Sequence, residues 1–116
     1  MLAERILTLV DKSTGNRQEI KVGIGEPYFP AKAEGSQEFA GCQVHTGTVG
    51  AGQHEVYGID KLQALCNGLT SIDFFLKTMV TQGDLFWPNG NAYNPKLEAP
   101  FPNMVSEIFN MMLGKQ

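Results

Sequence analysis

Cysteine is scarce in this chain, with two among 116 residues, Cys42 and Cys66. Neither belongs to a Cys-x-x-Cys pair, and two thiols cannot staple a disulfide scaffold. Each has apolar neighbours at its structural period, so both are expected as buried free thiols in a reducing, cytoplasmic setting. Basic charge is thin as well. Nine Lys and Arg against twelve Asp and Glu leave a net charge of -3. The cations are scattered, without the clustered footprint of a phosphate-backbone binder, so nucleic acid is not expected as a partner. No apolar run approaches the roughly 20 residues that span a bilayer. The opening MLAERILTLV lacks the basic region and small-residue cleavage site of a signal peptide, so no membrane partner is expected either.

Catalytic signatures are missing in the same way. Two histidines, His45 and His54, come without the close ligand pairs of a zinc site, so no metal and no cofactor are expected. There is no Gly-x-Ser-x-Gly elbow. The glycine-rich Gly47–Gly52 lacks the Lys-Ser/Thr ending and the following helix of a phosphate cradle, and reads as a hairpin loop. Asp60, Asp73 and Asp84 could do acid–base work. Asp60 is explained by helix capping and Asp84 by a turn; Asp73, between Ile72 and Phe74, reads as the edge of an apolar stripe reaching water.

What the chain does have is patterning. Leu2 to Asp11 and Arg17 to Gly25 flank the turn residues Ser13-Thr14-Gly15-Asn16. In the second run Ile20, Val22 and Ile24 alternate with Glu19, Lys21 and Gly23, which predicts an antiparallel hairpin with one buried face. Pro27 and Pro30 end that strand, and Ala31 to Gln37 reads as a loop. Phe39 to Thr46 is a third strand, with Cys42, Val44 and Thr46 on one face and Gln43 and His45 on the polar one. His54 to Tyr57 is a fourth.

Gly58 to Gly83 is the longest patterned stretch. Asp60 and Gln63 suit a capping box, and Gly83 suits the residue just past a helix end. Leu62, Leu65, Cys66, Leu69, Ile72, Leu76, Met79 and Val80 recur at spacings of three and four, and Phe74 and Phe75 widen that stripe. Beyond it, Asp84 to Pro88 suits a short edge strand, and Asn103 can cap a C-terminal helix.

The resulting expectation is a single α+β domain over 1–116. It has a four- or five-stranded, mainly antiparallel sheet in a strand-rich part over 1–57, and one long amphipathic helix over 58–83 packed across a face. An aromatic loop or edge strand over 84–100 and a second helix over 101–113 complete it.

Two surfaces are candidates for binding. In the loop, Trp87, Asn89, Asn91 and Tyr93 combine flat apolar area with hydrogen-bonding groups, and His54, His45 or Asp60 is the polar participant expected to join them. The plainer reading is that the aromatics plug the core and the asparagines make turns. On the last helix Phe101, Met104, Ile108, Met111 and Met112 form an adaptable apolar face that fills a core or meets a partner.

Three elements together resemble a group of small uncharacterised bacterial domains: Ile24-Gly25-Glu26-Pro27, Cys42-Gln43-Val44, and Gly58-Ile59-Asp60-Lys61-Leu62-Gln63-Ala64-Leu65. Trp87 soon after the helix also fits, and the resemblance covers residues 5–95. It implies a bacterial cytoplasmic protein and no particular activity. The expected function is accordingly a non-enzymatic protein-binding module, homodimeric or neutralising a partner as immunity proteins do. The alternative is a small-molecule binder or enzyme with a pocket near residues 84–95.

Overall fold

The computed structural model describes residues 1–30 and 39–95. The expected loop at 31–37 and the expected C-terminal helix, with its Phe101, Met104, Ile108, Met111 and Met112 face, lie outside the described residues. Six strands form one antiparallel sheet: β1 (Ala3–Asp11), β2 (Arg17–Ile24), β3 (Ala40–Thr48), β4 (Gln53–Gly58), β5 (Gly83–Phe86) and β6 (Ala92–Tyr93). Their order is β4-β3-β2-β1-β5-β6. A single helix, α1 (Lys61–Met79), leaves the β4 edge and returns the chain to β5 beside β1. The strand count therefore exceeds the four or five expected. The run after the helix is an inner strand, and the two-residue β6 forms the edge.

The β1–β2 hairpin follows the alternation read from sequence. Leu7 pairs with Ile20 and Arg5 with Val22, so Leu7, Leu9, Ile20, Val22 and Ile24 share the face under the helix. The connecting turn is held by Asp11, whose Oδ1 accepts from the Ser13 amide at 2.8 Å, the Ser13 hydroxyl at 2.6 Å and the Thr14 amide at 3.0 Å. Those donors favour the charged carboxylate and hold its pKa below the ordinary value.

α1 begins as expected and ends sooner. Asp60 Oδ1 accepts from the Gln63 amide at 2.7 Å, and Gln63 Oε1 accepts from the Ile59 amide at 2.7 Å, a reciprocal box reaching one residue further back than the usual one. The helix stops at Met79, with Val80 as its cap, so 19 residues span about 28 Å. Gly83 opens β5 instead of closing the helix.

Two glycines set how the helix sits. A Cβ on Gly58 would lie 2.5 Å from the Ala64 nitrogen, and one on Gly68 would lie 2.9 Å from Ile24 Cδ1. The stripe pressed into the sheet is thus Ala64, Gly68, Ile72 and Leu76, small residues first. This rotation corrects two expectations: Leu62 is 70% exposed and Phe74 64% exposed, whereas Phe75 packs on the core.

The core beneath contains Cys42 and Val44, both wholly buried, with Leu7, Leu85 and Tyr93 on the other side. Burial pushes the Cys42 thiol's pKa up, and its S–H donates to the Gly25 carbonyl at 3.3 Å. Cys66, expected in the core, is only half-buried.

Candidate functional site

The hairpin after α1 brings Trp87 and Tyr93 together. Phe86 pairs with Ala92 and Leu85 with Tyr93, and the turn between them is closed by Trp87 N–H to the Asn91 carbonyl at 2.8 Å. Asn89 Oδ1 accepts from the Asn91 amide at 2.9 Å. The two asparagines thus build the turn, and the two aromatic side chains point to the helix side of the sheet. Their rings meet edge to face, 5.3 Å apart at 88°.

A third residue completes this corner. Arg5 lies on the core-facing side of β1, two positions before Leu7. Its guanidinium carbon is 4.7 Å from the Trp87 ring centroid and 5.3 Å from that of Tyr93, and Nη1 donates to Tyr93 Oη at 2.9 Å. Each such stacking contributes about 0.5–2 kcal/mol depending on desolvation. Arg5 was not singled out from the sequence, although the alternation Arg5-Leu7-Leu9 places a cation on an apolar face, and that was the available signal.

Next to the corner runs a slot of about 180 Å³ between α1 and the start of the hairpin, lined by Ala3, Glu4, Arg5, Val22, Ile24, Leu69 and Ile72. The helix lies chiefly over β3 and β4, so among the described residues it covers less of this part of the sheet. Glu4 lines the slot as well. Its alternate position in β1 points to the other face, where its carboxylate is 3.6 Å from Lys21 Nζ. On the helix, Asp73 Oδ2 pairs with Lys77 at 2.8 Å while Oδ1 is buried with no hydrogen-bond partner, so this carboxylate does not reach water freely as expected. A second hollow of about 220 Å³ lies at the hairpin, lined by Thr8, Arg17, Phe86, Trp87, Pro88 and Gly90.

The histidines do not join either hollow. His54 is exposed on β4, at the opposite edge of the sheet, with Nδ1 3.1 Å from the Gly52 carbonyl. His45, expected to be solvated, is 5% exposed. Its cross-strand neighbour on β2 is Gly23, and Nε2 donates to the Thr48 carbonyl at 2.8 Å. Among the described residues, no three His, Cys, Asp or Glu are grouped to hold a metal ion.

A different surface gathers exposed apolar side chains where β4 runs into α1. Phe29, Phe39, Tyr57, Ile59 and Leu62 are all exposed there. Phe39 and Tyr57 meet edge to face at 5.4 Å, and Lys61 Nζ sits 5.1 Å from the Phe29 ring centroid. The adjacent strand edge is partly closed. Gly41 and Gln43 turn their backbone groups towards Tyr28 and Gly25, so by alternation Glu55 and Tyr57 direct theirs outward from the sheet. Asn67 Nδ2 takes the Tyr57 carbonyl at 2.7 Å. That hydrogen bond, with the charge of Glu55, disfavours strand addition at this edge.

Fold and surface together define an α+β protein, with one helix across a six-stranded antiparallel sheet among the described residues. Compared with known families, curated proteins and solved structures, the chain matches none. Among the described residues no helix is long and apolar enough to cross a membrane.

Proposed function

We propose that this protein is a non-enzymatic binding module that associates through the apolar surface at the β4–α1 junction, with a second copy of the chain as its partner. The observation that carries this reading is the exposure of Phe29, Phe39, Tyr57, Ile59 and Leu62 around the β4–α1 junction, where Phe39 meets Tyr57 and Lys61 meets Phe29. Monomeric proteins rarely leave large apolar side chains contiguous in this way. Charge supports a two-fold arrangement: exposed Lys61 lies in the same patch as exposed Glu55 and Asp60, so a symmetric contact can place cation against carboxylate in both directions. Because strand addition is hindered at β4, the contact is one of side chains. Two free cysteines fit a reducing, cytoplasmic setting.

Light scattering during size-exclusion chromatography, from micromolar to sub-millimolar protein, tests this reading. Mass should rise from 12.7 kDa towards twice that value, and Leu62→Glu should stay monomeric throughout. Leu62 is too exposed for that change to disturb folding. A wild-type chain that remains monomeric across the whole range sinks the proposal.

A further inference from the structure

We propose that the slot beside α1 binds a small organic acid with a short apolar body, its carboxylate held by Arg5. The floor and helix wall are apolar, supplied by Ala3, Val22, Ile24, Leu69 and Ile72. About 180 Å³ is little more than the engineered cavity of about 150 Å³ that accepts benzene, so the body is about six carbons long. Arg5 lines the slot too, with its guanidinium held against the Trp87 and Tyr93 rings. A guanidinium has five N–H donors in a rigid fork, and Tyr93 engages one of the nitrogens that carry them. The Trp87 and Tyr93 rings hold the fork in place before any ligand arrives, which lowers the ordering cost of binding.

No carboxylate among the described residues neutralises this charge. Glu4 pairs with Lys21 at 3.6 Å, and Asp73 pairs with Lys77 through Oδ2 at 2.8 Å. A half-buried guanidinium with no carboxylate partner among the described residues, beside an apolar channel, selects a ligand that is anionic at one end and apolar at the other. Its planar fork matches a carboxylate through two parallel hydrogen bonds. A neutral alcohol of the same length leaves the fork unmatched, and acetate leaves the channel unfilled. This site uses none of the residues of the β4–α1 patch, so either proposal can fail without the other.

Hexanoate is the probe, with hexan-1-ol and acetate as its two halves. Trp87 is the chain's single tryptophan and lies against Arg5, so its emission reports directly on the corner. Calorimetry provides a second readout that is independent of that ring. Hexanoate should titrate saturably with Kd below about 1 mM, and each control should bind at least about ten-fold more weakly. Arg5→Met should weaken hexanoate by about ten-fold or more, the scale of one charged hydrogen-bond pair, with little effect on hexan-1-ol. Leu69→Phe fills the channel from a half-buried wall position and should abolish binding with Arg5 intact, which keeps the test decisive if Arg5→Met folds poorly. Non-saturating titration of the wild type overturns the proposal. So does equal binding of hexanoate and hexan-1-ol, or unchanged hexanoate affinity in Leu69→Phe.

Discussion

One face of the sheet lies under α1, and the same face continues past the helix towards β1, β5 and β6. Under the helix the residues are small: Ala40, Cys42 and Val44 on β3 face Ala64 and Gly68 on α1. Towards β1, β5 and β6 the residues are larger, and Arg5, Leu85, Trp87 and Tyr93 gather there with Met79 and Val80 from the end of α1. Backbone approach does the sealing in the first region and side-chain reach does it in the second. Close packing of small residues leaves no room for a guest. Large side chains leaning on one another leave a slot, and the slot is where a ligand can enter.

Substitutions on the two sides of Ile72 test that comparison. Leu76 is wholly buried, and Leu76→Ala should cost about 2–5 kcal/mol by creating a cavity that the surrounding chain cannot close. Leu69, on the slot wall, already borders open space, so Leu69→Ala should cost less than about 1.5 kcal/mol, because little apolar area leaves a dry environment. Denaturant unfolding of the two variants gives both values. Equal costs would show that the slot is closed in solution and the comparison false.

The cysteines sharpen the same contrast with a smaller effect. Cys42 sits under the helix with its thiol pKa raised by burial, whereas Cys66 lies on the half-buried flank of α1. An aromatic disulfide reagent at neutral pH should therefore modify Cys66 in the native state and reach Cys42 only on unfolding. Simultaneous modification of both, at native conditions, would mean that the small-residue seat opens readily.

Much of this fold is legible residue by residue. Ile20, Val22 and Ile24 mark their strand by period two alone, and Asp60 with Gln63 marks the helix start because the unsatisfied amides there need those side chains. The helix rotation was not legible. Spacing places Leu62 and Leu65 in one stripe with Ile72, but the close contacts at Gly58 and Gly68 decide which flank enters the sheet, and those are tertiary facts. β6 escaped for another reason: two residues carry no period. His45 is polar by position and buried by circumstance, since its burial depends on which strand lies beside it, and register across a long connection is not written locally. Trp87 and Tyr93 were visible as a composition, but Arg5 became part of their site only once β1 and β5 were neighbours.

Asn67 has a consequence for how this molecule comes apart. Its hydrogen bond to the Tyr57 carbonyl joins the second turn of α1 to the outermost strand, and the Ile59–Gln63 bond and the Gly58–Ala64 contact fasten the same junction. β4 and the first half of α1 therefore open as one cooperative unit, and neither frays alone. Hydrogen exchange should give Val56 and Leu65 amides a common opening free energy, with different values breaking the unit in two. A strand at the border of a sheet is ordinarily the first element to loosen. Here its lifetime is set by the helix.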